Sequence, residues 1–194
     1  MQKLTRADLL SLEQYAEQRK AFRDQVMEHK KPRRVALGKH VTLLFEDRLT
    51  IQYQIQEMLR VERIFEPEGI ADELNAYNPL IPDGTDLKAT LLIEFEDVEE
   101  RKQALQELIG LEDKIWIQIG DFEPVTPISD EDIERENEEK TSSVHFLRFE
   151  FTPEMIAAAK SGAPLAIGVD HPRYSASLAP VPEATRASLV ADFD

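Results

Sequence analysis

Apolar side chains cover most of one predicted helix, residues 48–65, and the rest of the chain is arranged around it. At about 100° per residue, its large apolar residues fall on nearly every side of the helix. Only the arc that holds Gln52, Gln56 and Arg63 lacks them. A helix that is apolar on most of its circumference is typically buried, so the pattern predicts a buried central helix with Asp47 as its N-cap.

Alternating apolar and polar residues predict strands on both sides of this helix. Residues 33–37 and 40–45 form a predicted β-hairpin, and Gly38-Lys39 suits a two-residue type II′ turn. Every second residue from Val41 onward would face the core. Further strands are predicted at residues 88–95, 115–119, 144–151, 165–169 and 174–178.

Helical spacing and capping residues predict additional helices, which follow Thr5, Pro67, Asp97, Thr152 and Pro182. Hairpins and helices alternate without a regular βα period. The pattern therefore predicts a single α+β domain over residues 1–194, with a mostly antiparallel sheet, a buried central helix and peripheral helices. The strand–helix–strand run over residues 88–119 fits either a parallel crossover or an antiparallel arrangement of neighbours.

An exposed acidic segment is predicted at residues 129–140, where seven of twelve residues are Asp or Glu. Such a run is typical of a solvated surface, and it could also dock a basic partner. The formal net charge of −15 disfavours binding to nucleic acid or to an anionic membrane. The basic run at residues 29–34 fits the negative end of a helix dipole, with a small RNA-binding patch as the alternative.

The absence of cysteine limits the chemistry that this chain can support. It excludes disulfides, thiolate zinc sites and cysteine-held iron–sulfur clusters. No apolar run reaches the roughly 20 residues that a membrane-spanning helix needs. The first residues also lack the pattern of a secretory signal peptide, so we expect a cytoplasmic protein.

Polar side chains interrupt the apolar surface of the predicted central helix, and buried polar groups need partners. Glu57 could pair with Arg60, three residues further on, or with a more distant arginine such as Arg48, Arg34 or Arg148. Arg148 interrupts an otherwise apolar strand. A structural ion-pair network and a ligand site along the helix both fit this pattern. The candidate ligand-binding residues are Arg48, Gln54, Glu57, Arg60, Glu62, Arg148, Asp170 and His171.

The four histidines show no helical metal-binding pair, because the chain has neither an ExxH nor an HxxE sequence. We therefore predict no cofactor and no local chelating motif. A site assembled from distant segments would draw on His40, Glu57, His145 and His171. Of these, His171 lies in a predicted turn, where functional groups are often presented.

Four segments are distinctive as sequence: KLTRADLLSLEQYA, HKKPRRVALGKHVTLLFEDRLTIQYQIQEMLRVERIF, ELNAYNPLIPDGTDLKATLLIEF and GVDHPRY. Through them, nearly the whole chain resembles an uncharacterised bacterial family, the domain-of-unknown-function family 3501. Genes of that family often neighbour those of rubrerythrin-like and iron–sulfur proteins. The resemblance thus implies a role in peroxide or redox metabolism, although it assigns no reaction and no catalytic residues.

Two hypotheses follow. The first is an accessory protein that binds a partner from a redox pathway, with its acidic surface docking to a basic patch. The second is an enzyme or a small-ligand or metal-binding protein with a pocket along the central helix.

Overall fold

The computed structural model describes residues 2–133, 135, 137 and 139–194. Within them, the α-helices are α1 (Leu12–Lys30), α2 (Arg48–Glu62), α3 (Pro67–Tyr77), α4 (Val98–Glu107), α5 (Pro153–Lys160) and α6 (Glu183–Val190). The strands are β1 (Arg34–Leu37), β2 (Val41–Glu46), β3 (Asp86–Ile93), β4 (Ile115–Ile119), β5 (Ile128–Ser129), β6 (Val144–Glu150), β7 (Leu165–His171) and β8 (Tyr174–Leu178). None of the described helices has both the length and the apolar character that crossing a membrane requires.

Two antiparallel sheets organise these strands. The larger has the order β1-β2-β3-β6-β5 and the smaller the order β4-β7-β8. This architecture confirms the predicted α+β class with mostly antiparallel strands. The strand–helix–strand run over residues 88–119 is neither of the predicted arrangements, because β3 and β4 belong to different sheets and α4 connects them.

The main hydrophobic core combines buried residues from both sheets into one cluster. The predicted alternation in β2 is confirmed, since Val41, Leu43 and Phe45 are each at most 1% exposed. Leu43 pairs with Leu91 of β3, which is also fully buried. The period-2 pattern of each strand thus determines which of its faces turns toward the core.

The turn between β1 and β2 contains three residues rather than the predicted two, because Leu37 pairs directly with Val41. The hydroxyl of Tyr174 on β8 holds this turn. It donates to the carbonyl of Leu37 over 2.6 Å and accepts from the backbone N–H of His40 over 3.0 Å. Gly38 has a φ of +71°, and a Cβ there would lie 2.6 Å from that hydroxyl. The turn therefore depends on a strand of the other sheet.

Helix α2 is buried along one face rather than on most of its circumference. Asp47 caps it by accepting from the N–H groups of Leu49 and Thr50. The helix ends at Glu62, and apolar side chains on either side of this residue are open to solvent: Val61 is 63% and Phe65 67% exposed. Its buried apolar residues form a second, smaller core with the N-terminal segment and the loop after α3: Leu4, Ile51, Ile55, Leu59 and Ile81.

Gln56, which the helical pattern placed outside the apolar arc, is fully buried. Its side chain accepts from the N–H of Leu10 over 2.6 Å and donates to the Leu10 carbonyl over 3.3 Å. A buried amide that satisfies both backbone groups of one residue fixes the segment ahead of α1 against α2. That segment contains the predicted cap at Thr5, whose capping box with Asp8 closes a 3-10 turn at Arg6–Asp8. The α-helix itself begins later than predicted, at Leu12 with Ser11 as its N-cap.

The basic run at residues 29–34 divides between core and surface, because Arg33 is only 2% exposed whereas the Lys31 and Arg34 side chains are 68% and 54% exposed. The Arg33 guanidinium donates to the Asp192 carboxylate over 2.5 Å and to the Phe45 carbonyl over 3.0 Å. Its Nε also lies 3.5 Å from Asp47, whose carboxylate contacts His29 over 2.5 Å. We call these four side chains, His29, Arg33, Asp47 and Asp192, the Arg33 network.

The predicted acidic segment is exposed only in part. Ser129 belongs to β5 and pairs with Leu147, while the Asp130 and Arg135 side chains are 11% and 13% exposed. The Arg135 guanidinium lies 4.7 Å from the centre of the Phe146 ring. This end of the segment thus packs on β6. The part of the prediction that concerns Glu134, Glu136 and Glu138 lies outside the described residues.

Candidate functional site

The strongest polar candidate on the central helix, Glu57, is held by α1. Its carboxylate accepts from Arg19 over 2.7 and 2.9 Å and from the Tyr15 hydroxyl over 2.6 Å, and Arg60 lies 3.5 Å away. The hydrogen bond from Arg19 lowers the pKa of Glu57 to about 2, against the opposing effect of burial and with help from Tyr15. We call these side chains the Glu57 network. The predicted pairing with Arg60 is confirmed at 3.5 Å, and the closer partner is Arg19 rather than Arg34, Arg48 or Arg148.

The other candidates on α2 do not converge on Glu57. Arg48 donates to Asp8 over 2.5 Å, ahead of α1. Gln54 is half-buried and Glu62 is exposed, and neither side chain makes a hydrogen bond or an ion pair with a described residue. The polar side chains of the helix therefore do not outline one shared pocket.

Arg148 lies on the outer face of β6, away from the main core. It donates to both oxygens of Glu131 over 2.7 Å and also contacts Glu150. These pairs raise the pKa of Arg148 above its ordinary range, with the hydrogen bond to Glu131 as the largest cause. Arg148 thus ties the start of the acidic segment to the sheet.

Asp170 and His171 are the last two residues of β7 rather than part of the predicted turn, which contains only Pro172 and Arg173. Asp170 accepts from the indole N–H of Trp116 over 2.9 Å. His171 contacts the Ile109 carbonyl through Nε2 over 3.1 Å, and its Nδ1 accepts from the N–H of Arg173 over 3.2 Å. With both ring nitrogens engaged, His171 has a structural role in this state of the chain.

His40 has a different environment, at the edge of an open groove of about 940 Å³. Its ring stacks on Phe95 with centroids 3.9 Å apart, and its Nδ1 lies 2.9 Å from the Glu94 carbonyl. Because a carbonyl can only accept, Nδ1 carries the proton and the neutral ring has its lone pair on Nε2. Nε2 makes no hydrogen bond to the described part of the chain.

The four predicted metal-binding residues do not meet, since His40, Glu57 and His171 occupy the separate environments given above. Among the described residues, one group of three potential ligands comes together: Glu112, Asp130 and His145, with ligand atoms within 4.8 Å of one another. His145 is fully buried and Glu112 is 3% exposed. Sequence reasoning named only the histidine of this group.

An apolar patch with an acidic rim lies where α2 ends and α3 begins. We define the α2–α3 surface by the exposed apolar residues Val61 and Phe65 and by the carboxylates Glu62, Glu66, Glu68, Asp72 and Glu73. Phe65 also borders a groove of about 410 Å³ between α2, α3 and the start of α1. Pro67 begins α3, and the change of direction before it places Phe65 outside both helices.

Charge is unbalanced on this surface. No described cation lies within ion-pair distance of its five carboxylates, whereas exposed acids such as Glu99, Glu131 and Glu183 are paired with a lysine or an arginine. The pKa of Glu73 is raised, first by burial and then by the neighbouring charges of Glu62 and Asp72. Like charges held together beside apolar groups are unfavourable in the isolated protein, and a cationic partner would relieve them.

Comparison with protein families identifies the chain. The family model described as a protein of unknown function (DUF3501) matches residues 3–193. The chain belongs to this family. The match confirms the resemblance on which the sequence prediction relied.

Among solved structures, the DUF3501 chain is similar to a novel protein of unknown function from Burkholderia pseudomallei K96243. The two are 51% identical, the alignment covers 100% of both chains, and the TM-score is 0.92. A comparison with curated proteins finds no match. The fold is thus shared with a close relative whose function is also unknown.

Two features of this DUF3501 protein escaped sequence reasoning for different reasons. His145 has the same strand parity as Leu147 and Phe149, so alternation alone could have placed it in the core. Phe65 was assigned to the buried arc because helical spacing was extended past Glu62, and Val61 lies within α2 but on its exposed side. The adjacent acidic residues and Pro67 were the available signal that the helix ends there.

Proposed function

We propose that this protein acts by binding another protein, and that the α2–α3 surface receives a basic, amphipathic segment of that partner. The observation that carries the proposal is the exposure of Phe65 and Val61 beside five carboxylates that have no described cationic partner. Apolar groups rimmed by charges of one sign are typical of a docking surface.

The apolar part would supply most of the affinity. Burial of a Phe or Val side chain is worth about 1.5–3 kcal/mol relative to exposure. Aromatic side chains also dominate the binding energy of protein interfaces when a partner surrounds them. At 67% exposure, Phe65 keeps most of its surface available for such a contact.

The acidic rim would determine which partners bind. A basic partner gains attraction from Glu62, Asp72 and Glu73, and electrostatic steering accelerates association. A second copy of this chain is disfavoured, because a two-fold interface places the same patch on both sides and would bring acid against acid. The rim therefore favours a cationic partner over self-association.

The family resemblance suggests the class of partner. We extend the proposal to a rubrerythrin-like or iron–sulfur protein of peroxide or redox metabolism, which would present Lys or Arg beside apolar residues. In that role this cysteine-free chain serves as an accessory protein, and the metal chemistry belongs to its partner.

Binding of the purified chain to rubrerythrin-like and iron–sulfur proteins of the same organism, measured by surface plasmon resonance, tests both levels of the proposal. We expect Phe65→Ala to weaken binding at least tenfold, because it removes the central apolar contact. Val98→Ala is the matched control, since Val98 is 49% exposed but lies on α4, outside the surface. Equal affinity of the two variants would reject the α2–α3 surface.

Charge is tested separately. The triple variant Glu62→Gln, Asp72→Asn, Glu73→Gln should slow association and flatten its dependence on salt between 50 and 300 mM, as expected from roughly an 8–10 Å screening length. Glu99→Gln on α4 is the control. Absence of binding to every tested redox protein would reject the partner class, and an unchanged salt dependence would reject the acidic rim as the docking element.

The fixed tautomer of His40 favours a second candidate function, a small-ligand or general-base site in the groove beside α4. The stack on Phe95 and the contact with the Glu94 carbonyl orient the ring, and its Nε2 is open to the groove. A screen of small cationic and polar ligands by NMR should shift the His40 ring signals in wild type. Ligands that bind His40→Gln equally well would reject this site.

A further inference from the structure

We propose that His145, Glu112, Thr141 and the backbone carbonyl of Ser142 form a site for one divalent first-row transition-metal ion, with Zn²⁺ and Mn²⁺ as the ions to test. The site is separate from the docking surface and goes beyond the proposed function. It rests on the arrangement of one imidazole nitrogen and three oxygens inside the protein.

Asp130 orients the imidazole for this role. Its Oδ2 lies 2.6 Å from Nδ1 of His145, and its Oδ1 accepts from the N–H of Phe146 over 2.9 Å, so the carboxylate is itself fixed. Histidines that bind a metal nearly always donate their other ring N–H to a carboxylate or a carbonyl. Nε2 of His145 is thus the atom that faces the proposed ion.

Three oxygen atoms surround this nitrogen. Nε2 lies 2.9 Å from Thr141 Oγ1, 3.0 Å from the Ser142 carbonyl and 3.8 Å from Glu112 Oε2. An ion about 2.1 Å from each ligand places neighbouring ligands about 3.0 Å apart in octahedral coordination and about 3.4 Å apart in the tetrahedral coordination that Zn²⁺ prefers. The distances from Nε2 to Thr141 and Ser142 match the octahedral value, and Glu112 would need to approach by less than about 1 Å to complete the set.

The ligand types and their burial define the class of ion. One imidazole, one carboxylate, one hydroxyl and one carbonyl suit a borderline ion rather than a soft one such as Cu⁺. His145, Thr141 and Glu112 are 0%, 2% and 3% exposed, so the site is closed. Closed sites are structural, and here the ion would join β6 to the 3-10 turn at Glu112–Lys114 that precedes β4.

Without an ion, hydrogen bonds from the His145 ring can hold the same groups together. Nε2 and Nδ1 of His145 both face oxygen acceptors, and a ring that carries two protons can donate to both. An ion at Nε2 would replace one proton. The experiment therefore has to separate a metal-held site from a site held by hydrogen bonds alone.

Wild-type protein is stripped with a chelator and titrated with Zn²⁺ or Mn²⁺ by calorimetry, while its melting temperature is followed. We expect one equivalent per chain and a rise in melting temperature on addition of the ion. Glu112→Gln should lower the affinity at least tenfold and abolish the rise. Glu107→Gln and His171→Gln are matched controls, and both should bind as wild type does.

Because a variant of a buried residue can fail to fold, a second measurement uses wild type only. Pulsed electron paramagnetic resonance of the Mn²⁺ complex should show coupling to a single imidazole nitrogen. No saturable binding of either ion at micromolar concentrations, or a Mn²⁺ spectrum without nitrogen coupling, would overturn the proposal. Unchanged affinity in folded Glu112→Gln would overturn it as well.

Discussion

Helix α2 takes part in two ionic networks that contain similar residue types in different surroundings. At its N-cap, Asp47 belongs to the Arg33 network, in which Arg33 and Asp192 are 2% and 3% exposed. Further along the helix, the Glu57 network contains Arg19, whose side chain is 36% exposed. The first joins the start of α2 to the end of α1 and to the segment after α6, and the second joins the middle of α2 to α1.

One carboxylate of each network has a strongly shifted pKa, and the two shifts have opposite directions. Burial raises the pKa of Asp192 to about 6, despite the attraction of Arg33. The hydrogen bond from Arg19 lowers the pKa of Glu57 to about 2, despite partial burial. Burial alone does not set the direction, because the pKa of the buried Asp47 is lowered: its desolvation is outweighed by Arg33, the Thr50 N–H and His29 together.

Among substitutions that test this difference, Arg33→Met should cause the largest loss of stability. It leaves two carboxylates buried without their cation, and removal of one partner from a buried ion pair typically costs about 3–5 kcal/mol. Urea unfolding at pH 7 measures the loss. Arg34→Met is the matched control, because the neighbouring Arg34 side chain is 54% exposed and pairs with Glu94 at the surface. An equal loss of unfolding free energy in both variants would contradict the expected difference between a buried and an exposed ion pair.

Next in size is the pH dependence that Asp192 confers. Its pKa is higher in the folded protein, at about 6, than the ordinary 3.8. Its contribution to stability is therefore complete below pH 3.8 and is lost as the pH rises through 6. Asp192→Asn should remove this loss, worth at most about 3 kcal/mol.

Unfolding free energies of wild type and Asp192→Asn at pH 4 and pH 7 give the comparison directly. The stability of the variant relative to wild type should increase between the two pH values. A constant difference would show that Asp192 titrates in the folded protein as it does in the unfolded chain.

Glu57→Gln should have a smaller effect, with the opposite dependence on pH. Loss of the charge-assisted hydrogen bonds costs about 1–2 kcal/mol once screening at this partly solvated site is considered. The Glu57 contribution is complete above pH 4.5 and is lost as the pH falls toward 2. The difference from wild type should thus shrink on acidification, whereas Glu62→Gln should show little difference at any pH.

The smallest effect expected is the coupling between the networks. Asp47 and Glu57 are ten residues apart on one helix, or about 15 Å at 1.5 Å per residue. Sites at that distance without shared partners usually add within about 0.5 kcal/mol. The double variant Arg33→Met, Glu57→Gln should therefore show additive losses in urea unfolding. A larger interaction energy would mean that α2 transmits strain between its ends.

Local pattern predicted the elements of this fold well, because the faces of a strand follow from alternation. Val41, Leu43 and Phe45 were placed correctly for this reason. The length of the turn was not predictable in this way, because the hydroxyl that holds it comes from β8. Assignment of β3 and β4 to different sheets likewise depends on contacts between distant segments.

The candidate site was harder to predict, because ionic partners leave no local signal. Arg33 and Arg34 look alike in the sequence, yet Arg33 ends a 3-10 turn and is buried, whereas Arg34 begins β1 on its exposed face. The partner of Arg33 is Asp192, 159 residues away. The predicted pairing of Glu57 with Arg148 was wrong for the same reason. Arg19 on α1 lies 2.7 Å from Glu57, and local sequence pattern does not show which distant arginine will be close.

The clamp of Tyr174 on the β1–β2 turn has a consequence for how the chain opens. A hairpin normally satisfies its own turn, but here the amide of His40 depends on a hydroxyl 134 residues further along the chain. That amide stays protected from exchange with deuterium only while both sheets are assembled. Its exchange rate thus reports the separation of the sheets, even though it lies in one of the most local elements of the fold.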